Sequence, residues 1–304
     1  FKVMSIIVFP TDYSEISIGA LPWALDMADT LNASVHCLYV VEEPQIYSTL
    51  DMGAVAIPTA GELVESAEKR MADFAGKHLG KSPHGHESKV VVGHAASEIV
   101  NYADETKAKL IVMTTHGRTG VSRAWLGSVA DSLVRHSSFP LLVVRPLDDG
   151  ETFPSARFQH FLVPLDGSQT GEKILEPTVD LAKAMGARLT LLNVVSPHIT
   201  VGARVSPLPS GHLEERLAKS EAYLAGVVDR LQDEGLDVSP KIESHFAPAR
   251  AILKTAEAED VDLIAIATHG YTGVKRAVLG SVTDKVLRAA KWPLLLERPP
   301  EAVS

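Results

Sequence analysis

The sequence predicts an α/β protein built from two tandem domains, each an open sheet of five parallel strands flanked by helices. Three observations lead there. Residues 117–146 read GRTGVSRAWLGSVADSLVRHSSFPLLVVRP and residues 270–299 read GYTGVKRAVLGSVTDKVLRAAKWPLLLERP, with 17 identities and no gap. The offset of 153 residues is far longer than a solenoid unit and equals one small domain. In both halves short apolar runs alternate with stretches of helical periodicity, the pattern of β-α-β units with right-handed crossovers. Finally, residues 109–114 and 262–267 carry the unbroken apolar runs LIVM and LIAIA, as strands covered on both faces of a parallel sheet do. The expected boundaries are 1–146 and 158–304, joined by a polar linker at 147–157 that contains Gly150 and Pro154.

Residues 3–10 and 158–164 read as first strands that stop at Pro10-Thr-Asp12 and Pro164-Leu-Asp166. Helical spacing follows over 14–31 and 168–185, with Ser14 and Ser168 where an N-cap belongs and with Pro22 and Pro177 kinking the helices or setting their first turns. Second strands are expected at 35–41 and 188–195, then long polar loops at 42–59 and 196–212. Charged helices at 59–79 and 212–231, short third strands at 89–92 and 240–244, and helices at 96–107 and 249–259 come next. After the fourth strands a glycine loop leads to helices at 128–135 and 281–288, then to last strands at 141–144 and 294–296. An apolar edge strand invites pairing. The two repeats are therefore expected to join through these last strands about a pseudo-twofold axis.

With 304 residues, 45% of them hydrophobic and 22% charged, the chain can bury two ordinary cores without metal or disulfide. Its single cysteine, Cys37, lies in an apolar run and reads as a buried, inert thiol suited to a reducing compartment. The sequence has no long apolar span, and residues 1–10 run straight into a strand pattern, so a soluble cytoplasmic protein is expected, with no membrane partner. A net charge of −9 argues against a nucleic-acid partner. Any phosphate site must then be local.

The fourth strand runs into Thr114-Thr-His-Gly117 in one repeat and Ala267-Thr-His-Gly270 in the other, nine residues before Gly127-Ser128 or Gly280-Ser281. Glycine lets backbone amides approach a ligand, and a Gly-Ser pair opening a helix presents N–H groups, a hydroxyl and the positive dipole end. The plainer reading is that these glycines serve tight turns. Ligands of open α/β sheets bind beyond the carboxyl ends of the strands, which favours the phosphate cradle. Asp12 and Asp166 fall at that same edge, where an Asp accepts a ribose hydroxyl, holds phosphate-bound Mg²⁺ or caps the next helix.

The Pro-x-Asp strand ends, the Leu38-Tyr-Val40 and Leu192-Asn-Val194 strands, and the T/A-x-x-G-x9-G-S loop before Pro-Leu-Leu together resemble the universal stress protein family. The resemblance covers both halves. It implies a Rossmann-like fold of the adenine nucleotide alpha hydrolase type, with the two repeats forming a pseudo-dimer. The family's ATP-binding branch carries Gly-x-x-Gly-x9-Gly-Ser/Thr. Matching positions put a nucleotide against Pro10, Asp12, Val40, Met113, Thr114, Gly117, Gly127, Ser128 and Val129. In the second repeat they are Pro164, Asp166, Val194, Ile266, Ala267, Gly270, Gly280, Ser281 and Val282. The first glycine of the motif is replaced by Thr114 and Ala267. Alanine adds only a methyl if φ stays negative, whereas Thr is β-branched, so the second site ranks above the first.

The leading reading is an ATP-binding stress or signalling protein with little or no turnover, because no Walker lysine follows the loop and no general base stands beside a nucleophile. ATP, with or without Mg²⁺, is the expected ligand; AMP and ADP fit the same cradle. The alternatives are a slow Mg²⁺-dependent ATPase using Asp12 or Asp166, and a nucleotide-free scaffold. No residue is assigned as catalytic, and no protein metal site is assigned apart from Mg²⁺ held through phosphate. His116 and His269 read as structural or ligand-lining groups, and His84 and His86 as a solvated loop pair with no third ligand. Arg123, Lys275 and Arg276 add positive charge to the glycine loops. A homodimer is the family's other way of pairing the last strands.

Overall fold

The structure is a computed structural model that describes residues 5–42, 60–80, 82–115, 126–145, 158–201, 204–207, 209, 211–268 and 279–298. Two compact units emerge from its contacts. One comprises the described residues up to 115 together with 127–133, and the other residues 134–145 and 158–298.

In the first unit, β1 (Ser5–Pro10), β2 (Ala33–Val41), β3 (His86–Val92) and β4 (Leu110–Thr114) form a parallel sheet in the order β4-β1-β2-β3. The 14–31 helix is two pieces, α1 (Glu15–Ile18) and α2 (Leu21–Leu31). Ser14 caps the first by accepting the Ser17 N–H at 3.1 Å. Pro22 sits in the first turn of α2, where its missing N–H costs nothing. Two longer helices follow, α3 (Ala60–His78) and α4 (Ala95–Thr106). Ile7, Val8, Phe9, Ile111 and Val112 are fully buried in the sheet, as unbroken apolar runs require. Cys37 is also fully buried; burial pushes its thiol up to about 12, so it stays protonated and inert.

α5 (Ser128–His136) follows the first glycine loop, and β5 (Leu141–Val144) comes after it. In the second unit, β6 (His160–Pro164), β7 (Arg188–Val195), β10 (Val238–Ser244), β11 (Leu263–Ala267) and β12 (Leu294–Glu297) make the five-stranded parallel sheet, ordered β10-β7-β6-β11-β12. On its far side β12 pairs antiparallel with β5, Leu295 opposite Leu142. The helices are α6 (Leu175–Met185), entered through a 3-10 turn at Gly171–Ile174, α7 (His212–Asp233), α8 (Pro248–Ala258) and α9 (Ser281–Ala289). Arg145 reaches the carboxyl end of α9, where its guanidinium donates to the carbonyls of Leu287 and Arg288 at 2.8 and 2.5 Å.

Two expectations need correcting. The polar stretch 196–212 is not loop throughout, since β8 (His198–Val201) and β9 (Arg204–Pro207) form an antiparallel hairpin there. The third strands begin earlier than the expected residues 89 and 240, at His86 and Val238. They lie at one side of each parallel sheet, where one strand neighbour and a solvated face remove the need for apolar side chains. The loop at 42–59, apart from residue 42, lies outside the described residues.

Candidate functional site

In a parallel sheet all carboxyl ends share one edge, so the ends of β6, β7 and β11 meet above the start of α9. A cavity of about 250 Å³ opens there. Pro164, Asp166, Val194, Ile266, Ala267, Gly280, Ser281 and Val282 all line it. These are the second-repeat candidates with one exception: Gly270 lies outside the described residues. Sequence reasoning missed Leu165, Gly171, Leu192, Pro248, Ile252 and Thr283. A glycine interrupting a helical pattern was a usable signal at 171, but nothing in the sequence tells which helix overhangs which strand ends.

Hydrogen bonds fix the cavity walls. The Gly280 N–H donates to the Thr268 carbonyl at 2.8 Å, and the Thr283 hydroxyl to the Ala267 carbonyl at 2.8 Å, so the first turn of α9 is tied to the end of β11. Among the described residues no side chain caps α9, and its first residues, Gly280, Ser281 and Val282, line the cavity, the Gly280 N–H being taken by Thr268. The Asn193 amide donates to the Leu165 carbonyl at 2.7 Å and accepts from the Ser220 hydroxyl at 2.8 Å, bracing the turn that carries Asp166. Asp166 accepts from the Ser168 N–H at 3.0 Å and its hydroxyl at 2.6 Å, and the Ser168 hydroxyl accepts from the Gly171 N–H at 2.9 Å. Gly167 between them adopts φ +81°, a conformation that suits glycine. Asp166 is therefore a turn-former as well as a cavity wall. Burial, with the carboxylates of Glu172 and Asp166 nearby, raises the Tyr223 phenol above its usual range.

The chemistry divides along the cavity. Val194, Ile252 and Ile266 give an apolar end, and helix amides with a serine hydroxyl give an anion-accepting end. Ala267 closes β11, opposite Glu297 of β12, and among the described residues neither it nor Thr114 has positive φ. A Cβ at the motif's first glycine position is thus accommodated in both repeats without backbone strain.

The first repeat has the same frame. Pro10 ends β1, Asp12 follows, Val40 lies in β2, and Met113 and Thr114 end β4. The Gly127 N–H donates to the Thr115 carbonyl at 2.8 Å, bringing Ser128 and Val129 of α5 to that edge. Asp12 accepts from the Ser14 N–H and hydroxyl at 2.9 and 2.6 Å, as Asp166 does from Ser168. Tyr13 stands where the second repeat has Gly167 and adopts φ +60°. Its ring packs on Tyr39 with centroids 4.6 Å apart, and the Arg70 guanidinium lies 4.4 Å from its centroid. Gly117, His116, His269, Arg123, Lys275 and Arg276 lie outside the described residues. His84 sits 3.5 Å from Asp29, and His86 is exposed on β3; among the described residues no group of three or more metal-ligating side chains converges. No described helix is long and apolar enough to cross a membrane.

A mostly parallel sheet flanked by helices, with a cavity at its carboxyl edge, defines a Rossmann-like α/β fold. The universal stress protein family model matches residues 4–145 and 157–298, and the chain belongs to that family as a tandem of two such domains. A universal stress protein of Mycolicibacterium smegmatis is 26% identical, covering 96% of this chain and 97% of its own. Another, from Methanocaldococcus jannaschii, is 35% identical over 46% of this chain and 81% of its own. The crystal structure of a universal stress protein from Archaeoglobus fulgidus has the same fold, with a TM-score of 0.69 at 21% identity and 97% coverage of both chains.

Proposed function

We propose that this protein binds an adenine nucleotide in the second-repeat cavity and that occupancy biases a conformation or a partner surface, with little or no turnover. One observation carries the reading. Every described residue singled out for the second site lines a single cavity with an apolar end and a helix-amide end, which is the division that a base and its phosphates require. The ligand is ATP, with or without Mg²⁺ held through phosphate near Asp166; AMP and ADP fill the same apolar end. Asp12, Thr114, Gly117, Gly127 and Ser128 form the corresponding site of the first repeat, ranked second.

The same proposal covers organisation. Domains span 1–146 and 158–304 with a linker at 147–157, and they join through their last strands as one chain's version of a dimer. The antiparallel register of Leu141–Val144 with Leu294–Glu297 supports that pairing. A single buried thiol suits the cytoplasm.

The test is mass spectrometry of nucleotide released on denaturing the purified protein, followed by titration with ATP, using Gly280→Asp and Gly127→Asp variants. A carboxylate placed before the helix amides should repel phosphate. Loss of bound or added ATP in Gly280→Asp supports the second site. Equal ATP binding by wild type and the double variant, or none by wild type, overturns the reading. Multiple turnovers per second would overturn the claim of little hydrolysis.

A further inference from the structure

The two repeats differ at one point of the cavity rim. In the first, Gly93 alone separates the end of β3 at Val92 from the N-cap of α4 at His94. In the second, two residues, His245 and Phe246, separate the end of β10 at Ser244 from the N-cap of α8 at Ala247. The Gly93 N–H donates to the Val41 carbonyl and the His245 N–H to the Val195 carbonyl, each at 3.0 Å. These two residues are therefore equivalent, and Phe246 is the added one.

Phe246 is 66% exposed, although a lone apolar residue at a surface is by itself unremarkable. Its setting sets it apart. The ring lies on the His245 imidazole with centroids 4.7 Å apart and planes 20° from parallel. His245 Nδ1 accepts the Ala247 N–H at 2.9 Å, which fixes that imidazole and assigns its proton to Nε2. The short segment is held at both ends by cavity walls. His245 is bonded to Val195, next to Val194, and Pro248 begins α8, and both Val194 and Pro248 line the cavity.

We propose that Phe246, backed by His245, is a stacking shelf at the apolar mouth of the second-repeat cavity, selecting ligands that carry a planar heteroaromatic ring over those that offer phosphate alone. This rests on the nucleotide reading above and adds the residue that discriminates the base. An exposed aromatic gains by covering one face with a flat ring, and base–aromatic stacking is sequence-tolerant, so purine should exceed pyrimidine only by its larger area. The first repeat, where Gly93 alone joins β3 to the N-cap of α4, has no residue equivalent to Phe246.

The experiment uses the full chain and measures dissociation constants for ATP, AMP and inorganic tripolyphosphate in wild type, Phe246→Ala and Phe246→Trp, with Gly127→Asp in every background to isolate the second site. Phe246→Ala should weaken ATP and AMP by about tenfold while leaving tripolyphosphate unchanged, and Phe246→Trp should restore the nucleotides. Wild-type affinity for ATP in Phe246→Ala overturns the shelf and leaves the nucleotide reading standing. Equal weakening of ATP and tripolyphosphate also overturns it, because the substitution then acts on the cavity as a whole. If the wild type binds no nucleotide, both readings fall together.

Discussion

Replacing Gly171 by alanine should set the cavity wall against the turn that holds Asp166. A Cβ at Gly171 would lie 2.5 Å from Asp166 Oδ1 and 3.1 Å from the Ser168 hydroxyl oxygen, where ordinary contact begins near 3.4 Å. About 0.9 Å of overlap with Oδ1 follows from the difference of those two values, more than a well-packed turn can absorb. Asp166 must then rotate and surrender its bonds from the Ser168 N–H and hydroxyl. For an exposed carboxylate those two bonds together are worth about 1.5–2 kcal/mol. Against this, alanine is favoured over glycine in a helical turn by about 0.5–1 kcal/mol. The net expectation is a loss of about 1 kcal/mol. In an Asp166→Ala background the 2.5 Å overlap is gone and only the milder 3.1 Å contact with the Ser168 hydroxyl remains, so the same substitution should instead stabilise by about 0.5 kcal/mol. Urea unfolding of the four proteins in this cycle gives the coupling directly, about 1.5 kcal/mol. A coupling below about 0.4 kcal/mol would refute the overlap argument, since distant sites add within that margin. Repeat one shows how the strain is relieved: Ser17 occupies the matching place with its N–H on the Ser14 hydroxyl at 3.1 Å, but within an α-turn, Glu15–Ile18, rather than a 3-10 turn.

Two further predictions concern protons. His160 is buried between the Glu259 carbonyl, the Thr190 hydroxyl and Arg188, and burial followed by the Arg188 charge lowers its pKa; burial likewise lowers that of His36, opposed by Glu87. Both take up a proton less readily in the fold than in the unfolded chain, which does so near pH 6.5, so stability should fall as pH drops through that value, by up to about 1.4 kcal/mol per pH unit for each histidine. Urea midpoints at pH 7.5 and 5.5 should show a smaller drop in His160→Gln than in wild type, and an identical drop would refute the assignment. Glu297, whose Oε2 is buried with no hydrogen-bond partner among the described residues, has its pKa pushed up to about 8 by burial first and Glu176 second. Here the fold favours the protonated form, so stability should fall as pH rises from about 4.5 to 8; Glu297→Gln should gain on the order of 2 kcal/mol at pH 8, allowing for its partial exposure, and almost nothing at pH 4.5. A variant no more stable than wild type at pH 8 would count against it.

Much of this protein was legible from its residues alone. The apolar runs at 110–114 and 263–267 are strands because only a doubly covered strand tolerates such continuity, and the repeated loop marks two domains by self-similarity. Pro-x-Asp and Gly-Ser are local chemistry, so the turn at Asp166 and the start of α9 follow from composition without knowledge of any neighbour. Tertiary structure decided what depends on which elements meet. Pro248 and Ile252 line the cavity because α8 packs against β7 and α9, and helical periodicity names a buried face without naming the element it covers. The pairing of β12 with β5, the hairpin inside a polar segment, and the exposure of the added residue Phe246 are likewise matters of register and packing. Sequence periodicity determines the elements and their inner faces, because those depend on near neighbours along the chain; the cavity is a relation among strand ends and helix starts about a hundred residues apart, which only the folded chain brings together.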